Sequence, residues 1–222
     1  MKDALPFTDS PLDLTGETPV FTGQQQDVYG WPGRPDLLVK VVRPGFAEAH
    51  WTGLRGALKR RRRLGIMASA QRALTEQLVL MNAGLPAGRH IQEAVGLVMT
   101  TAGPGLVVRA VHGADGRYAP TLRSLLDTGQ WSSHLQERLD EFLDWLIASP
   151  VVVGDLHAGN VVLAADQANG ERLVMIDGMG DKGFVPLNSL SPFFNRRHKL
   201  RRAQRLRAAV ARIAARAADR PA

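Results

Sequence analysis

The sequence contains no cysteine, and aromatic residues make up only 6% of its 222 positions. Without thiols the chain cannot form disulfides, thiolate zinc sites or cysteine nucleophiles, so any chemistry must use oxygen and nitrogen atoms. The sequence also lacks a signal-peptide pattern and any apolar run near the ~20 residues that cross a bilayer. Hydrophobic residues make up 45% of the chain, which is enough for a real core, and we expect a globular cytoplasmic protein.

Acidic residues are nearly absent from the C-terminal end. Residues 196–222 contain ten lysines and arginines but one aspartate, whereas the rest of the chain has a net charge of −2. The overall formal charge of +7 therefore belongs to this basic end, and residues 59–63 form a second, shorter basic run. Clustered cations attract phosphate, but no nucleic-acid-binding motif accompanies them, so we do not expect a dedicated nucleic-acid-binding protein.

Hydrophobic periodicity divides the chain into a β-rich half and a mainly helical half. In the first half we expect strands over 37–42, 96–101 and 105–111 and one helix over 67–83. In the second half we expect helices over 133–149 and 195–218 and short strands over 151–153, 161–163 and 173–176. The predicted fold class is α+β, with domains over 1–111 and 112–195 and a basic amphipathic helix over 196–222.

The densest group of functional side chains begins with Asp155, His157 and Asn160 on one loop. Two short strands and then Asp177-Gly178 follow it. If the two strands pair as a hairpin, Asn160 and Asp177 return to the same end and become neighbours. An amide and a carboxylate at that point can hold a hard cation such as Mg²⁺ through oxygen, and Asp155 can orient or deprotonate an attacking hydroxyl.

The order Asp-x-x-x-x-Asn, hairpin, Asp-Gly resembles the catalytic and metal-binding loops of the protein-kinase-like superfamily. His157 stands where protein kinases usually have lysine, which makes the loop similar to that of aminoglycoside and choline phosphotransferases. This histidine either contacts phosphate or substrate or forms a hydrogen bond within the loop.

The wider sequence, from about Phe21 to Arg207, resembles the YrbL family, small kinase-like proteins named for the PhoP regulatory network of bacteria. This resemblance includes Gly105–Val111, Asp115-Gly116 and the basic C-terminal end. It implies a small two-lobed fold, with a β-rich N-lobe and a mainly helical C-lobe, that uses ATP and Mg²⁺.

A kinase-like fold also implies a strand lysine that reaches the nucleotide phosphates and a helix glutamate that fixes it. Lys40 is the candidate lysine because it is the single charge inside an apolar strand, which is costly unless paired. The alternative is an edge strand with Lys40 facing water. As the glutamate we prefer Glu76, on the predicted helix, to Glu48 in a loop, although an ordinary solvated helix face also explains Glu76.

The phosphate-binding loop departs most from protein kinases, because it has a single glycine, Gly23, where Gly-x-Gly-x-x-Gly is expected. Backbone amides can still bind phosphate with one permissive position, but the motif is weak. By family position, Ala110 and Val111 belong to the hinge that contacts the adenine. Val28 is a candidate for its apolar lining, and plain core packing is the alternative.

We therefore expect an ATP- and Mg²⁺-dependent phosphotransferase whose acceptor, a protein or a small molecule, the sequence does not identify. The alternative is a weak or inactive kinase-like module with a regulatory binding role. The single-glycine loop and the lack of an Ala-Pro-Glu docking motif over 181–193 favour this alternative.

For the basic C-terminal helix, an acidic protein partner and an anionic membrane surface are both open as partners. Its apolar stripe, which includes Leu206 and Val210, can equally dock on the C-terminal half of this same domain.

Overall fold

This computed structural model describes residues 10–46, 53, 65–86, 88–166, 170–181 and 187–218. The basic run 59–63 and the alternative glutamate Glu48 lie outside these residues. The described chain forms two compact units. The first consists of the described residues up to Gln71 together with Ala94–Ala110, and the second of Arg72–Glu93 together with the described residues from Val111 onward.

The first unit contains a five-stranded antiparallel sheet. Its strands are β1 (Phe21–Thr22), β2 (Gln26–Trp31), β3 (Arg34–Val42), β4 (Ala94–Thr100) and β5 (Gly103–Arg109). Their order across the sheet is β1-β2-β3-β5-β4. Because β3 has a neighbouring strand on each side, the alternative that Lys40 lies on an edge strand is wrong.

A small apolar core covers one face of this sheet. Val39 and Val41 flank Lys40 along β3, so they point to the opposite face, where they are buried with Leu14. Gly105 on β5 allows the strands to pack closely, because a Cβ at this position would lie 2.6 Å from Val39 Cγ1. The alternation along β3 thus buries the valines on one face and leaves Lys40 half-buried on the other.

The second unit is mainly helical. It contains most of α1 (Ala68–Asn82) and then α2 (Leu122–Asp127), α3 (Ser133–Ala148), α4 (Leu187–Leu190) and α5 (Pro192–Ala218). The predicted helix α3 is confirmed. Its N-cap is Ser132, whose Oγ accepts a hydrogen bond from the Leu135 N–H at 3.3 Å. The apolar stripe of α3 is buried, and it consists of Leu135, Leu139, Phe142, Leu143 and Leu146.

The predicted hairpin is also confirmed, as β6 (Val161–Asp166) pairs antiparallel with β7 (Gly170–Met175). The predicted strand over 151–153 is wrong, because this segment forms only one isolated bridge, between Val153 and Met179. Its carbonyl groups bond mostly to side chains instead of to a second strand.

Helix α5 is the predicted basic helix, and it begins at Pro192, before the predicted start. Its stripe of Ala203, Leu206 and Val210 is buried, and the helix packs against α2 and α3. The apolar stripe therefore docks on its own unit. Among the residues that the structure describes, no helix is both long enough and apolar enough to cross a membrane.

Candidate functional site

The β6–β7 hairpin brings together the residues predicted to bind a cation. The Ile176 N–H extends the hairpin ladder by donating to the Asn160 carbonyl at 2.8 Å, so Asn160 and Asp177 flank the same end of the hairpin. The Asn160 side chain reaches back along its loop, because its Nδ2 donates to the Asp155 carbonyl at 3.1 Å. One end of the hairpin thus carries two carboxylates and one amide.

Gly178 lies at the centre of this arrangement. Its carbonyl accepts hydrogen bonds from the Gly154 and Asp155 N–H groups, both at 2.9 Å. Its φ of +88° lies in the region that favours glycine. A Cβ at this position would lie 3.0 Å from Asn160 Nδ2 and closer still to the Asp155 carbonyl oxygen. Both the backbone conformation and the close approach therefore require glycine after Asp177.

The oxygen atoms at this end of the hairpin suit a hard cation. Asp177 is exposed, and its Oδ1 accepts a hydrogen bond from the Gly178 N–H at 2.6 Å. Within the described part of the chain, neither Asn160 Oδ1 nor Asp177 Oδ2 accepts a hydrogen bond. No cluster of three or more His, Asp or Glu able to hold a metal occurs among the described residues. A site with few protein oxygens fits Mg²⁺, which keeps several water ligands.

His157 has a clear role within the loop. Its Nδ1 accepts a hydrogen bond from the Gly159 N–H at 3.1 Å, so it caps the short 3₁₀ helix Ala158–Asn160. This cap fixes the turn that leads to Asn160. The imidazole is also exposed, and a contact with phosphate or substrate stays a prediction.

The first unit brings together three of the predicted nucleotide-binding residues. Val28 on β2 lies directly opposite Lys40 on β3, so their side chains share one face of the sheet. Gly23 lies in the turn between β1 and β2, where its N–H donates to the Gln26 carbonyl at 2.9 Å. A Cβ on Gly23 would lie 3.0 Å from that same oxygen, so the tight turn favours glycine.

Glu76 on α1 belongs to the second unit and is only 4% exposed, so the alternative of a solvated helix face is wrong. Its Oε2 accepts a hydrogen bond from the Val152 N–H at 2.7 Å. Burial raises the pKa of Glu76, although the Val152 N–H and the positive charge of Lys199 oppose this rise. Glu76 thus supports the segment that leads into Asp155, and its pairing with Lys40 stays a prediction.

The two predicted hinge residues lie where the chain passes from the first unit to the second. Ala110 donates its N–H to the Asp36 carbonyl at 2.9 Å, within the first unit. Val111 accepts a hydrogen bond from the Ala119 N–H at 2.9 Å, within the second unit. Their contact with adenine stays a prediction.

The inner face of α5 carries a polar row that the sequence analysis did not predict. Its side chains donate hydrogen bonds to backbone carbonyls of residues 149–154, and the row consists of Asn195, His198, Lys199 and Arg202. Lys199 is 1% exposed, and burial lowers its pKa to about 8. Burial also lowers the pKa of His198. The sequence signal for this row is its i, i+3, i+4, i+7 spacing, which places all four residues on one helix face.

One comparison with known proteins identifies a family. The model of the family described as "PhoP regulatory network protein YrbL" matches residues 12–211, a span that includes all the candidate site residues named above. The comparison with curated proteins found no match.

The close approach at Gly178 predicts that Gly178→Ala destabilises the protein more than a matched variant, Gly129→Ala. Gly129 also has a positive φ, +71°, but a Cβ there would meet nothing within 4 Å. We expect a cost of roughly 1 kcal/mol for Gly129→Ala from backbone strain alone. Gly178→Ala should cost roughly 1–3 kcal/mol more because the Cβ overlaps the Asp155 backbone. Urea denaturation of the two variants measures this difference.

Equal losses of stability in these two variants would contradict the close approach of Gly178 to Asp155 and Asn160.

The burial of Lys199 predicts a stability change at alkaline pH. Its pKa is about 8 in the folded protein, against an ordinary value of 10.5. Between these values the unfolded chain holds the proton and the folded chain does not, so raising the pH favours folding. We expect the unfolding free energy of the wild type, minus that of Lys199→Met, to rise from about pH 8 to pH 10.

Urea denaturation at several pH values measures this difference, and its constancy below about pH 8 is the internal control. A difference that stays flat or falls above pH 8 would show that folding does not lower the pKa of Lys199.

Proposed function

The chain belongs to the family of the PhoP regulatory network protein YrbL, and we propose that it acts there as an ATP- and Mg²⁺-dependent phosphotransferase with a protein-kinase-like fold. The observation that carries this proposal is the meeting of Asp155, Asn160 and Asp177 at one end of the hairpin. A purely structural role does not require two carboxylates and an amide at one point. The resemblance of their order along the chain to kinase loops supplies the reaction class.

Each of these residues has its own role in the proposed reaction. Asn160 and Asp177 would hold Mg²⁺, which when bound neutralises negative charge on the phosphate oxygens. Asp155 accepts a hydrogen bond from the acceptor hydroxyl and aligns its oxygen with the γ-phosphorus. The bond from the acceptor oxygen to the γ-phosphorus forms as the bond between the γ-phosphorus and the β–γ bridging oxygen breaks, and ADP leaves. The hydroxyl proton passes to Asp155. Most of the rate enhancement would come from positioning and charge stabilisation.

On the phosphate side, the proposal assigns Lys40 to the α- and β-phosphates and the Gly23 turn to backbone contacts with phosphate. Lys40 lies on a central strand directly opposite Val28, which supports this assignment because both predicted nucleotide-binding side chains share one face of the sheet. Glu76 contributes through the Val152 N–H, which holds the approach to Asp155.

We expect Asp155→Asn to lower transfer of the ATP γ-phosphate by about 10²- to 10⁴-fold, because an amide cannot accept the hydroxyl proton. The matched control is Asp144→Asn, which makes the same chemical change at an exposed position on α3 and should have no effect. The measurement is Mg²⁺-dependent γ-phosphate turnover with protein, sugar and aminoglycoside acceptors.

Undiminished turnover in Asp155→Asn would remove Asp155 from this role. If the wild type shows no turnover, a thermal shift with Mg-ATP decides what is left of the proposal. Stabilisation by Mg-ATP would leave a nucleotide-binding module without transferase activity. No stabilisation would remove nucleotide from the proposal entirely and leave the second candidate function.

The second candidate function is a regulatory binding module, and the outer face of α5 is the observation that favours it. This outer arginine row is exposed and consists of Arg196, Arg197, Arg201, Arg205, Arg212 and Arg216. None of the six forms a hydrogen bond or ion pair with a described residue. The row extends over about 30 Å of helix. Phe193 and Phe194, which are 68% and 50% exposed, lie at its N-terminal end.

We propose that the outer arginine row binds an acidic protein surface, since the family takes its name from a network of regulators. Binding of poly-L-glutamate at low salt should be several-fold weaker for Arg201→Glu than for the wild type, because charge complementarity is lost. Arg117→Glu, which makes the same charge change on an exposed loop residue, is the matched control and should bind as the wild type does.

Equal losses in both variants would show that bulk charge, rather than this row, attracts the polyanion. Binding to phosphatidylglycerol-containing vesicles without binding to poly-L-glutamate would instead assign the row to an anionic membrane surface.

A further inference from the structure

Every backbone carbonyl from Ser149 to Asp155 accepts a hydrogen bond, although this segment does not belong to a described strand. Asn195 donates to the Pro150 and Val151 carbonyls at 3.0 and 3.1 Å, and Lys199 donates to the Ser149 carbonyl. The last two carbonyls before Asp155 also receive bonds from α5. His198 Nε2 donates to Val153 at 3.1 Å, and Arg202 Nη2 donates to Gly154 at 2.8 Å.

The opposite side of the segment is held by other parts of the second unit. The Gly180 N–H donates to the Val152 carbonyl at 2.7 Å, and the Gly178 carbonyl accepts from two N–H groups of the segment. Glu76 accepts from the Val152 N–H. Side chains of α5 therefore hold one side of the segment, and the residues after Asp177 hold the other.

Helix α5 is itself fixed, so its donors have a defined position. Leu206 and Val210 are each 2% exposed, and Arg207 Nη2 donates to Asp140 Oδ1 on α3 at 2.8 Å. A charged donor that is held by packing forms a stronger and better-oriented hydrogen bond than a mobile one. The inner and outer cations of α5 thus differ: the inner ones bond to backbone, and the outer ones face solvent.

We propose that α5 is the positioning element of the Asp155 loop, with Arg202 and His198 as positioning residues that act through the Gly154 and Val153 carbonyls. This inference rests on the proposed phosphotransferase function, because it gives α5 a part in orienting Asp155 toward the acceptor hydroxyl. Arg202 is the more direct of the two, since the carbonyl that it holds belongs to the residue immediately before Asp155.

The test compares three variants of the full chain. Arg202→Met keeps the aliphatic stem and removes the donors, Arg202→Lys restores a cationic donor, and Arg205→Met makes the same change at the neighbouring exposed row. Hydrogen exchange at the Gly154 and Asp155 amides should become about tenfold faster in Arg202→Met. It should return toward the wild-type rate in Arg202→Lys and stay unchanged in Arg205→Met.

The kinetic measurement compares the effect of each variant on kcat with its effect on KM for ATP in γ-phosphate transfer. Arg202→Met should lower kcat and leave KM for ATP unchanged, because the positioned group acts on the acceptor and not on nucleotide binding. If the wild type transfers no phosphate, the exchange measurement still decides whether α5 positions the loop, so the two proposals fail separately.

Unchanged exchange at Gly154 and Asp155 in Arg202→Met would overturn the inference. So would faster exchange spread evenly over α3 and α5, which would show general destabilisation instead of local release. If Arg202→Met does not fold, His198→Gln and His198→Leu replace it, because glutamine keeps a donor for the Val153 carbonyl and leucine does not. Equal exchange rates at the Gly154 and Asp155 amides in these two histidine variants would also overturn the inference.

Discussion

Each buried carbonyl oxygen between Ser149 and Asp155 needs a hydrogen-bond donor. This segment is not part of a described strand, so no sheet supplies these donors. A strand in a sheet receives such donors from its neighbouring strand. Here α5 supplies most of them through side chains, and the Gly180 N–H supplies the one for Val152. The placement of Asp155 therefore depends on a helix that begins 37 residues later in the chain, at Pro192.

Because of this constraint, part of the chain's positive charge has a structural role. The net charge of +7 arises at the C-terminal end, and its inner cations are a structural part of the second unit. Lys199 is buried and bonded to the Ser149 carbonyl, and Arg202 holds Gly154. Among the described cations of this end, the outer arginine row is exposed to solvent. One helix thus combines support of the candidate catalytic loop with a basic surface.

The sequence predicted the features that depend on local patterns. The apolar spacing in α3 and the two short runs that form the β6–β7 hairpin were sufficient to bring Asn160 and Asp177 to one end. The prediction of a strand over 151–153 was wrong because a run of three valines does not show whether a neighbouring strand or a distant helix donates to its carbonyl groups. The sequence likewise did not show whether Glu76 is buried or exposed, since its hydrogen-bond partner Val152 lies 76 positions away. Contacts of such separation leave no periodic signal in the chain.

The central claim is that Asp155, Asn160 and Asp177 form a metal and nucleotide site. A crystal structure with Mg²⁺ and a non-hydrolysable ATP analogue tests it most directly. We expect Mg²⁺ to bind Asn160 Oδ1 and an Asp177 carboxylate oxygen at about 2.1 Å, with the γ-phosphate facing Asp155. A nucleotide bound elsewhere, or a metal without contact to Asn160 and Asp177, would contradict the claim.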